Sequence, residues 1–194
     1  MIDQLTPVYS WLSSHPPVAL TAAVGILFML FGGKRRSKSK RASLHRHHIK
    51  QSKAALQHIN SQNSWPETLG YLRRIHHTTF EELILTALSE AGIQIQRNKR
   101  YTGDGGIDGV AYLPNGKKLI IQAKRYTSHV STQHVQQFVE LCRLRNSMGI
   151  FVHTGKTPKN AWTHTSPKGV AIISGPRLVA FLKNPQTELR NLFV

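Results

Sequence analysis

A Pro-Asn-Gly bend at 114–116 separates two apolar segments, 107–113 and 117–124, and predicts an antiparallel hairpin. An Asn-Gly pair alone favours a two-residue turn of type I′. That turn would make the proline the last ladder residue, where it has no N–H to donate. In a three-residue loop, the proline and asparagine form the centre of a type I turn and the glycine takes the left-handed conformation of a G1 bulge. We therefore predict the three-residue loop, with Leu113 opposite Lys117.

This register has a consequence for three polar residues. It places Asp108 opposite Gln122, and the two-residue period of a strand then puts Asp108, Gln122 and Lys124 on one face. The two-residue turn would instead place Asp108 opposite Ala123, facing away from Lys124. A carboxylate with a bound divalent cation can polarise a phosphoryl oxygen and activate water. A nearby lysine can stabilise the growing negative charge, and Mg²⁺ suits such a site because it binds oxygen and keeps most of its waters.

The remainder of the globular part alternates helical and apolar strand patterns. The segment 78–91 has one apolar stripe at helical spacing, and a second helix is predicted over 132–145. Short apolar strands are predicted over 93–97, 148–154 and 169–174. Helices that alternate with strands after an antiparallel hairpin predict an α/β fold, a mixed sheet with helices on both faces.

The charge of the chain indicates a polyanionic partner. Its 194 residues include 26 Lys+Arg and 9 Asp+Glu, which give a formal net charge of +17. Such a charge favours nucleic acid or an anionic membrane surface, and the single cysteine excludes an intramolecular disulfide or a thiolate-rich zinc site. Residues predicted to contact phosphates lie near the hairpin and the loops that follow it: Arg100, Lys117, Lys118, Arg125 and Lys156. An ordinary solvated basic surface explains each of them equally well.

The segment 17–33 is apolar and carries no charged residue, and a basic run follows it directly. With its upstream neighbours it approaches the roughly 20 residues that a bilayer core requires. We expect a membrane anchor over 1–33, a basic linker or short helix over 34–64, and a globular domain over 65–194. The basic flank predicts an outside N-terminus and a cytoplasmic domain at the inner (cytoplasmic) membrane. A cleaved signal peptide and a buried core helix are the alternatives, and the former lacks a basic start and a cleavage site.

The hairpin, together with the segment GIFVHTGKTPKNAW after the next helix, resembles the catalytic core of the Mrr-like restriction endonuclease family. This family belongs to the nucleases with a PD-(D/E)xK site, and the resemblance covers roughly residues 70–185. Its most specific elements are Gly-Gly-Ile-Asp at 105–108 and Gln-Ala-Lys at 122–124. The resemblance implies a restriction-endonuclease-like fold, a metal-binding Asp108 and a catalytic Lys124. The same resemblance implies that Gln122 takes the catalytic and metal-binding position of the usual acid and that the Ala123 carbonyl is a further metal ligand.

The family also has a glutamate on the preceding helix, within a Phe-Glu pair that corresponds here to Phe80 and Glu81. The resemblance therefore implies that Glu81 contributes to the metal site. Glu81 borders the apolar stripe of the helix, whereas we expect Glu82 to point outward. The alternative is a capping box, because Thr78 precedes Glu81 by three residues and Thr79 precedes Glu82 by three.

Our leading functional hypothesis is a membrane-anchored, Mg²⁺-dependent DNA endonuclease, for which the resemblance implies a role in restriction. The second hypothesis is a catalytically inactive, membrane-tethered module that binds nucleic acid. A third is a protein that docks on anionic lipid alone. We expect no small-molecule cofactor, and a homodimer would most simply supply two sites for two cuts in a duplex. At this level DNA and RNA both remain open as substrates.

Overall fold

The computed structural model describes residues 40, 42–98, 106–162 and 169–193. The chain divides into two compact units, Met1–Arg46 and His47–Val194. The predicted membrane anchor lies outside the described residues. Within the described ranges, no helix is both long and apolar enough to cross a bilayer.

The centre of the second unit is a five-stranded mixed sheet whose strands follow chain order. The first three strands are antiparallel, and the third, fourth and fifth are parallel. This arrangement confirms the predicted mixed sheet. The strands are β1 (Gln94–Arg97), β2 (Gly109–Tyr112), β3 (Lys118–Lys124), β4 (Met148–His153) and β5 (Val170–Ile173).

Helices cover both faces of this sheet, as predicted. The helices are α1 (42–61), α2 (Trp65–Leu72), α3 (His77–Glu90), α4 (Thr132–Leu144), α5 (Lys159–Trp162), α6 (Gly175–Lys183) and α7 (Pro185–Phe193). Strand β3 alternates between two apolar clusters: Leu119 and Ile121 belong to one, with helices α3 and α6, whereas Ile120 belongs to the other, with helix α4. Helix α7 was not predicted, although its start with Pro at the first helical position is a typical helix signal.

The hairpin between β2 and β3 has the predicted bend. The N–H of Leu113 donates to the carbonyl of Lys117 at 3.0 Å, and the N–H of Gly116 donates to the carbonyl of Leu113 at 2.8 Å. Gly116 has a φ of 76°, in the left-handed region that glycine adopts without steric cost. Tyr112 pairs with Lys118, so the predicted register is confirmed.

Helix α1 packs on the core of the second unit through one face of its later turns. Ala55, Leu56 and Ile59 are buried, with Ile59 fully inaccessible to solvent. The hydroxyl of Ser52 lies 2.7 Å from the hydroxyl of Thr86 on α3. These contacts bury a face of α1 that a solvated linker would leave exposed.

The compact unit accordingly begins at His47 and not at residue 65, where the sequence analysis placed the end of the linker. The buried positions 52, 55, 56 and 59 follow helical spacing. The surrounding Lys, His and Gln residues obscured this narrow apolar stripe in the sequence.

Candidate active site

Asp108 lies just before β2, one residue beyond the last ladder pair, Gly109–Ile121. Its N–H donates to the carbonyl of Ile121 at 2.9 Å. Its carboxylate oxygen Oδ2 accepts a hydrogen bond from the N–H of Ala123 at 2.6 Å. The predicted Asp108–Gln122 ladder pair is therefore absent from the described ladder, and the carboxylate instead meets the backbone between Gln122 and Lys124.

Gln122 is buried on β3, with 7% of its surface exposed. Its side chain lies under the loop that leads to Asp108, because a Cβ built on Gly106 would be only 2.3 Å from Gln122 Nε2. Gly106 also has a φ of 85°, which favours glycine. The backbone of this loop thus approaches the Gln122 amide more closely than any residue with a side chain would allow.

Lys124 is the last residue of β3 and is half-buried. It pairs with His153 in the parallel ladder between β3 and β4. The next residue, Arg125, donates from its guanidinium to the backbone carbonyl of Arg73, which follows α2. The carboxyl end of β3 therefore brings together Asp108, the Gln-Ala-Lys segment and a second cationic side chain.

The capping alternative for the glutamates of α3 is wrong. The N-cap of this helix is His76, whose ring Nδ1 accepts a hydrogen bond from the N–H of Thr78 at 3.2 Å. Both threonines lie inside the first turn of the helix, and the Thr79 hydroxyl donates to Gln51 Oε1 on α1 at 2.9 Å. Neither threonine is placed to act as a helix cap.

The outward orientation expected for Glu82 is also wrong. Glu82 is 3% exposed and forms an ion pair with Arg97 on β1, which also donates to the hydroxyl of Thr86 at 3.2 Å. Helix α3 lies between α1 and the sheet. The face of α3 that carries Glu82 and Thr86 is therefore buried, although its residues are polar. The guanidinium of Arg97 compensates the buried carboxylate.

Glu81 is half-exposed, one helical turn after His77. Burial, the neighbouring His76 and the charge of Arg125 all lower the pKa of His77, in that order of importance. The Arg125 guanidinium donates to the carbonyl of Arg73, four residues before His77, so the start of α3 lies close to the end of β3. Since residues four apart share a helix face, Glu81 lies on the face of α3 that includes His77.

The predicted phosphate-binding residues are divided between the two ends of β3. Lys117 and Lys118 lie at its amino end, about 20 Å from Lys124 for a strand rise of about 3.3 Å per residue. Arg125 and Lys156 lie at the carboxyl end, where residue 156 forms a β-bridge with His129. Arg100 lies outside the described residues.

Comparison with known proteins assigns this arrangement to a family. The Mrr_cat family model, described as restriction endonuclease, matches residues 72–182. The chain belongs to this family. The resemblance drawn from the hairpin is thereby confirmed, and the matched range includes α3, all five strands and the residues at the carboxyl end of β3.

The type IV methyl-directed restriction enzyme EcoKMrr of Escherichia coli (strain K12) is 28% identical over 198 residues. That alignment covers 90% of this chain and 65% of EcoKMrr, so the chain spans less than two thirds of that relative. Among solved structures, the MspJI restriction endonuclease in complex with a 27-mer oligonucleotide is 26% identical, with a TM-score of 0.46 over 69% of this chain and 35% of that one. Pyrococcus furiosus SfsA in complex with Ca²⁺ is 17% identical, with a TM-score of 0.35 over 50% of this chain and 54% of that one.

The oxygen donors of this Mrr_cat domain suit a hard divalent cation. No group of three His, Cys, Asp or Glu side chains that could hold a metal occurs in the described part of the chain. The candidate donors at the carboxyl end of β3 are one carboxylate, Asp108, with the amide oxygen of Gln122 and the carbonyl of Ala123. A cation that keeps several of its waters needs few protein ligands, so such a set would suit a hard divalent cation better than a metal that prefers nitrogen or sulfur.

Further polar residues surround the same end of the sheet, and the sequence analysis did not single them out as site residues. The hydroxyl of Tyr126 lies 2.6 Å from Nδ1 of His134 on α4. The hydroxyl of Thr154 donates to the carbonyl of Tyr126 at 2.8 Å and accepts from its N–H at 2.9 Å. Positions 122, 124 and 126 lie on one face of β3 and its extension, since side chains alternate along a strand. This alternation could have identified Tyr126 from the sequence as a neighbour of Gln122 and Lys124.

Proposed function

We propose that this chain is a Mg²⁺-dependent endonuclease that hydrolyses phosphodiester bonds in DNA. Membership of the Mrr_cat restriction endonuclease family supports a nuclease. The observation that carries the proposal is the hydrogen bond between the Asp108 carboxylate and the Ala123 N–H. It brings the carboxylate to the segment that contains Gln122 and Lys124.

The proposed roles follow from the chemistry of each group. Asp108, Gln122 and the Ala123 carbonyl would hold Mg²⁺, and the bound cation would supply a polarised phosphoryl oxygen and an activated water. Lys124 orients the attacking water and stabilises the negative charge that grows on the phosphate. We assign Glu81 as a further carboxylate of the metal site, supported by its position one turn after His77.

The charge of the chain supports a nucleic-acid substrate. The net charge of +17 favours binding to a polyanion. Arg125 and Lys156 lie at the catalytic end of β3 and would neutralise phosphates next to the cut. Lys117 and Lys118, about 20 Å away at a rise of about 3.3 Å per residue, would contact the duplex farther along its length. Arg100, outside the described residues, is a further proposed phosphate contact.

Plasmid cleavage with Mg²⁺ tests this proposal. Asp108→Asn keeps an oxygen for the Ala123 N–H but removes the charge, and Lys124→Met keeps the length of the side chain but removes the ammonium. We expect both variants to lose cleavage, and EDTA to abolish it in the wild type. Lys53→Met, the same change at an exposed lysine of α1, is the matched control and should retain cleavage. If the Asp108→Asn variant nicks plasmid at the wild-type rate, the proposal is wrong.

The same cleavage assay distinguishes DNA from RNA as the substrate. It also distinguishes a nuclease from a module that only binds nucleic acid. EcoKMrr is named a methyl-directed enzyme, so methylated and unmethylated plasmids should be compared, together with RNA as a competitor. Preferential cleavage of RNA would contradict the DNA assignment. Binding of DNA by the wild type without cleavage under any of these conditions would identify a nucleic-acid-binding module. Sedimentation with and without DNA tests the proposed homodimer.

We also propose that the chain is anchored in the inner membrane through residues 17–33, with the nuclease domain in the cytoplasm. The absence of charge in this segment and the basic run after it support this location. The test compares the full chain with a chain that begins at residue 34, after membrane flotation and alkaline carbonate extraction. The full chain should remain with the membranes and the shortened chain should not. Recovery of the full chain in the carbonate-soluble fraction would refute the anchor.

A further inference from the structure

Tyr126 and His134 form a hydrogen-bonded pair at the carboxyl end of β3. The Tyr126 hydroxyl lies 2.6 Å from Nδ1 of His134, which lies in the first turn of α4. Burial raises the pKa of Tyr126, and a hydrogen bond from the backbone of Ser131 opposes this shift. Since a backbone N–H is a donor, the phenol oxygen accepts from Ser131, and the single phenol hydrogen is left for His134. We therefore assign Tyr126 as the donor and His134 Nδ1 as the acceptor.

This assignment determines the tautomer of His134. An imidazole that accepts a hydrogen bond at Nδ1 is neutral and carries its hydrogen on Nε2. In the described part of the chain, the one side-chain nitrogen or oxygen that is buried without a partner is His153 Nδ1. The Nε2–H of His134, a half-buried residue, has no such partner either and is therefore open to solvent. His134 thus presents one neutral, oriented donor at the protein surface.

The pair lies next to the proposed catalytic lysine. Tyr126 follows Lys124 by two residues, which separates their Cα atoms by about 7 Å at most for a rise of about 3.3 Å per residue. The ring of Tyr126 packs edge-on against that of His153, with centroids 6.2 Å apart. His153 is the ladder partner of Lys124. A donor held by Tyr126 is therefore placed beside the site of cleavage.

The backbone around Tyr126 is held firmly by the loop that follows β4. The hydroxyl of Thr154 bonds both the N–H and the carbonyl of Tyr126. A Cβ on Gly155 would lie 2.3 Å from the Ser128 carbonyl oxygen and 2.8 Å from Tyr126 Cβ, so the two loops touch backbone to backbone. The N–H of Lys156 donates to the Ser128 carbonyl at 2.9 Å. The exposed lysine and the oriented histidine consequently belong to one rigid surface.

We propose that His134 binds, through its Nε2–H, a DNA phosphate that flanks the one being cleaved, and that Tyr126 is the positioning residue that fixes this donor. The inference rests on the proposed nuclease function, because it names the part of the substrate that this surface contacts. Contacts to backbone phosphates fix the register of a protein on the duplex without reading its sequence. The neutral histidine would supply direction to such a contact, and Lys156 would supply charge.

Three substitutions at His134 separate the donor from the shape of the ring. His134→Phe keeps the ring but has no donor. His134→Gln carries its amide nitrogen to about the position of Nε2, whereas the amide of His134→Asn reaches only the position of Nδ1. His58→Phe is the matched control, because His58 is an exposed histidine of α1 whose ring contact with Tyr71 a phenylalanine retains. Melting temperatures identify the folded variants, and their affinity for a 20-base-pair duplex is measured in EDTA, where no metal-dependent cleavage occurs.

The phosphate contact predicts a definite order of affinities. We expect His134→Phe and His134→Asn to bind the duplex about 10- to 100-fold more weakly, as for the loss of a hydrogen bond to a charged group. His134→Gln and His58→Phe should bind nearly as well as the wild type. Wild-type affinity in His134→Phe, equal losses in His134→Phe and His58→Phe, or rescue by Asn but not by Gln would overturn the proposal.

Tyr126→Phe tests the positioning role, since it removes the hydroxyl and keeps the ring against His153. We expect a smaller loss of affinity than in His134→Phe, because the donor remains but its orientation is no longer fixed. The double variant Tyr126→Phe, His134→Phe should bind as His134→Phe does, because the hydroxyl acts through the imidazole. Additive losses would show that Tyr126 acts independently and would refute the positioning role.

The salt dependence of binding distinguishes a neutral donor from a cation. Each phosphate that a cation neutralises contributes about 0.9 to the slope of log affinity against log salt concentration. Lys156→Met, the cationic reference, should reduce that slope by about 0.9. His134→Phe should lower the affinity at every salt concentration and leave the slope unchanged. A slope reduced by about 0.9 in His134→Phe would contradict the neutral donor.

Nitrogen-15 spectra of the wild-type histidine rings test the contact without any variant. We expect His134 to carry its proton on Nε2, and the Nε2 resonance to move when the duplex is added in EDTA. Protonation at Nδ1, or an Nε2 resonance that saturating duplex does not move, would refute the contact even if the protein cleaves DNA. If the resonance moves and His134→Phe binds weakly, but the wild type cleaves no substrate with Mg²⁺, the contact stands and only the proposed nuclease function fails.

Discussion

Substitution of Gly106 by alanine should disable cleavage at little cost to the fold. The new Cβ would lie 2.3 Å from Gln122 Nε2 and 3.4 Å from its Cδ. The first distance is about 1 Å shorter than an ordinary contact between such atoms. Because the amide is the far end of a side chain, Gln122 can relieve the clash by moving. We expect a displacement of about 1 Å, which can reduce an enzymatic rate by about a hundredfold.

Gly116→Ala is the matched control for this substitution. Gly116 has a φ of 76° and Gly106 one of 85°, so alanine has a similar backbone cost at both positions, about 1–2 kcal/mol. A Cβ on Gly116 would have no atom of the described residues within 4 Å. Both variants should therefore melt about 2–8 °C below the wild type, but only Gly106→Ala should lose cleavage.

Thermal melting and single-turnover cleavage of labelled duplex DNA with Mg²⁺ measure the two effects. The double variant Gly106→Ala, Gln122→Ala should cleave no more slowly than Gln122→Ala alone, because the two single changes act on the same amide. Equal cleavage rates for Gly106→Ala and Gly116→Ala would refute the reasoning. That result would mean that the position of the Gln122 amide does not matter for the reaction.

Three further predictions concern stability and reactivity. Arg97→Met should destabilise the domain in urea by about 3–5 kcal/mol, since it removes the guanidinium that compensates the buried Glu82 carboxylate. Glu82→Gln should cost less, and equal losses would contradict this account. Burial lowers the pKa of His153 to about 4, so the neutral ring contributes stability above pH 6.5 that is lost as the pH falls towards 4. This contribution to the free energy of unfolding, about 3 kcal/mol, should be missing from the acid denaturation curve of a folded His153→Asn variant. Identical acid denaturation curves for the variant and the wild type would contradict the prediction. Burial also raises the pKa of the Cys142 thiol to about 12 and leaves 1% of the residue exposed, so iodoacetamide at pH 8 should label it only after unfolding, as mass spectrometry would show.

The features predicted correctly from the sequence were those that depend on neighbouring residues. The Pro-Asn-Gly bend follows from the backbone preferences of three consecutive residues, and it determines the register of β2 against β3. Helix α4 was predicted within one residue of its observed end at Leu144, because its apolar positions form a single stripe. The amphipathic face of α1 carried the same kind of signal but was narrower, and the basic residues around it obscured it.

The errors concern residues whose environment is formed by distant segments. Glu82 was expected to be exposed because its helix has one strong apolar stripe, yet α1 and Arg97 enclose the other side. Asp108 was expected to pair within the ladder between β2 and β3, yet the pairing begins one residue later in the chain, at Gly109. The spacing of apolar residues shows whether a segment is a helix or a strand. The burial of Glu82 and the pairing of Asp108 depend instead on which other segments pack against that helix or strand.

By itself, the sequence determined the hairpin, its register, the mixed sheet and the presence of Asp108 and Lys124 on neighbouring segments. Tertiary structure alone decided that the Asp108 carboxylate accepts a hydrogen bond from the Ala123 N–H, that Gly106 lies over the Gln122 amide, and that Lys124 pairs with His153 in the parallel ladder. The physical reason is the range of the interactions involved. Backbone preferences act over a few residues, whereas hydrogen bonds and close packing between these groups exist only after the sheet has brought remote parts of the chain together.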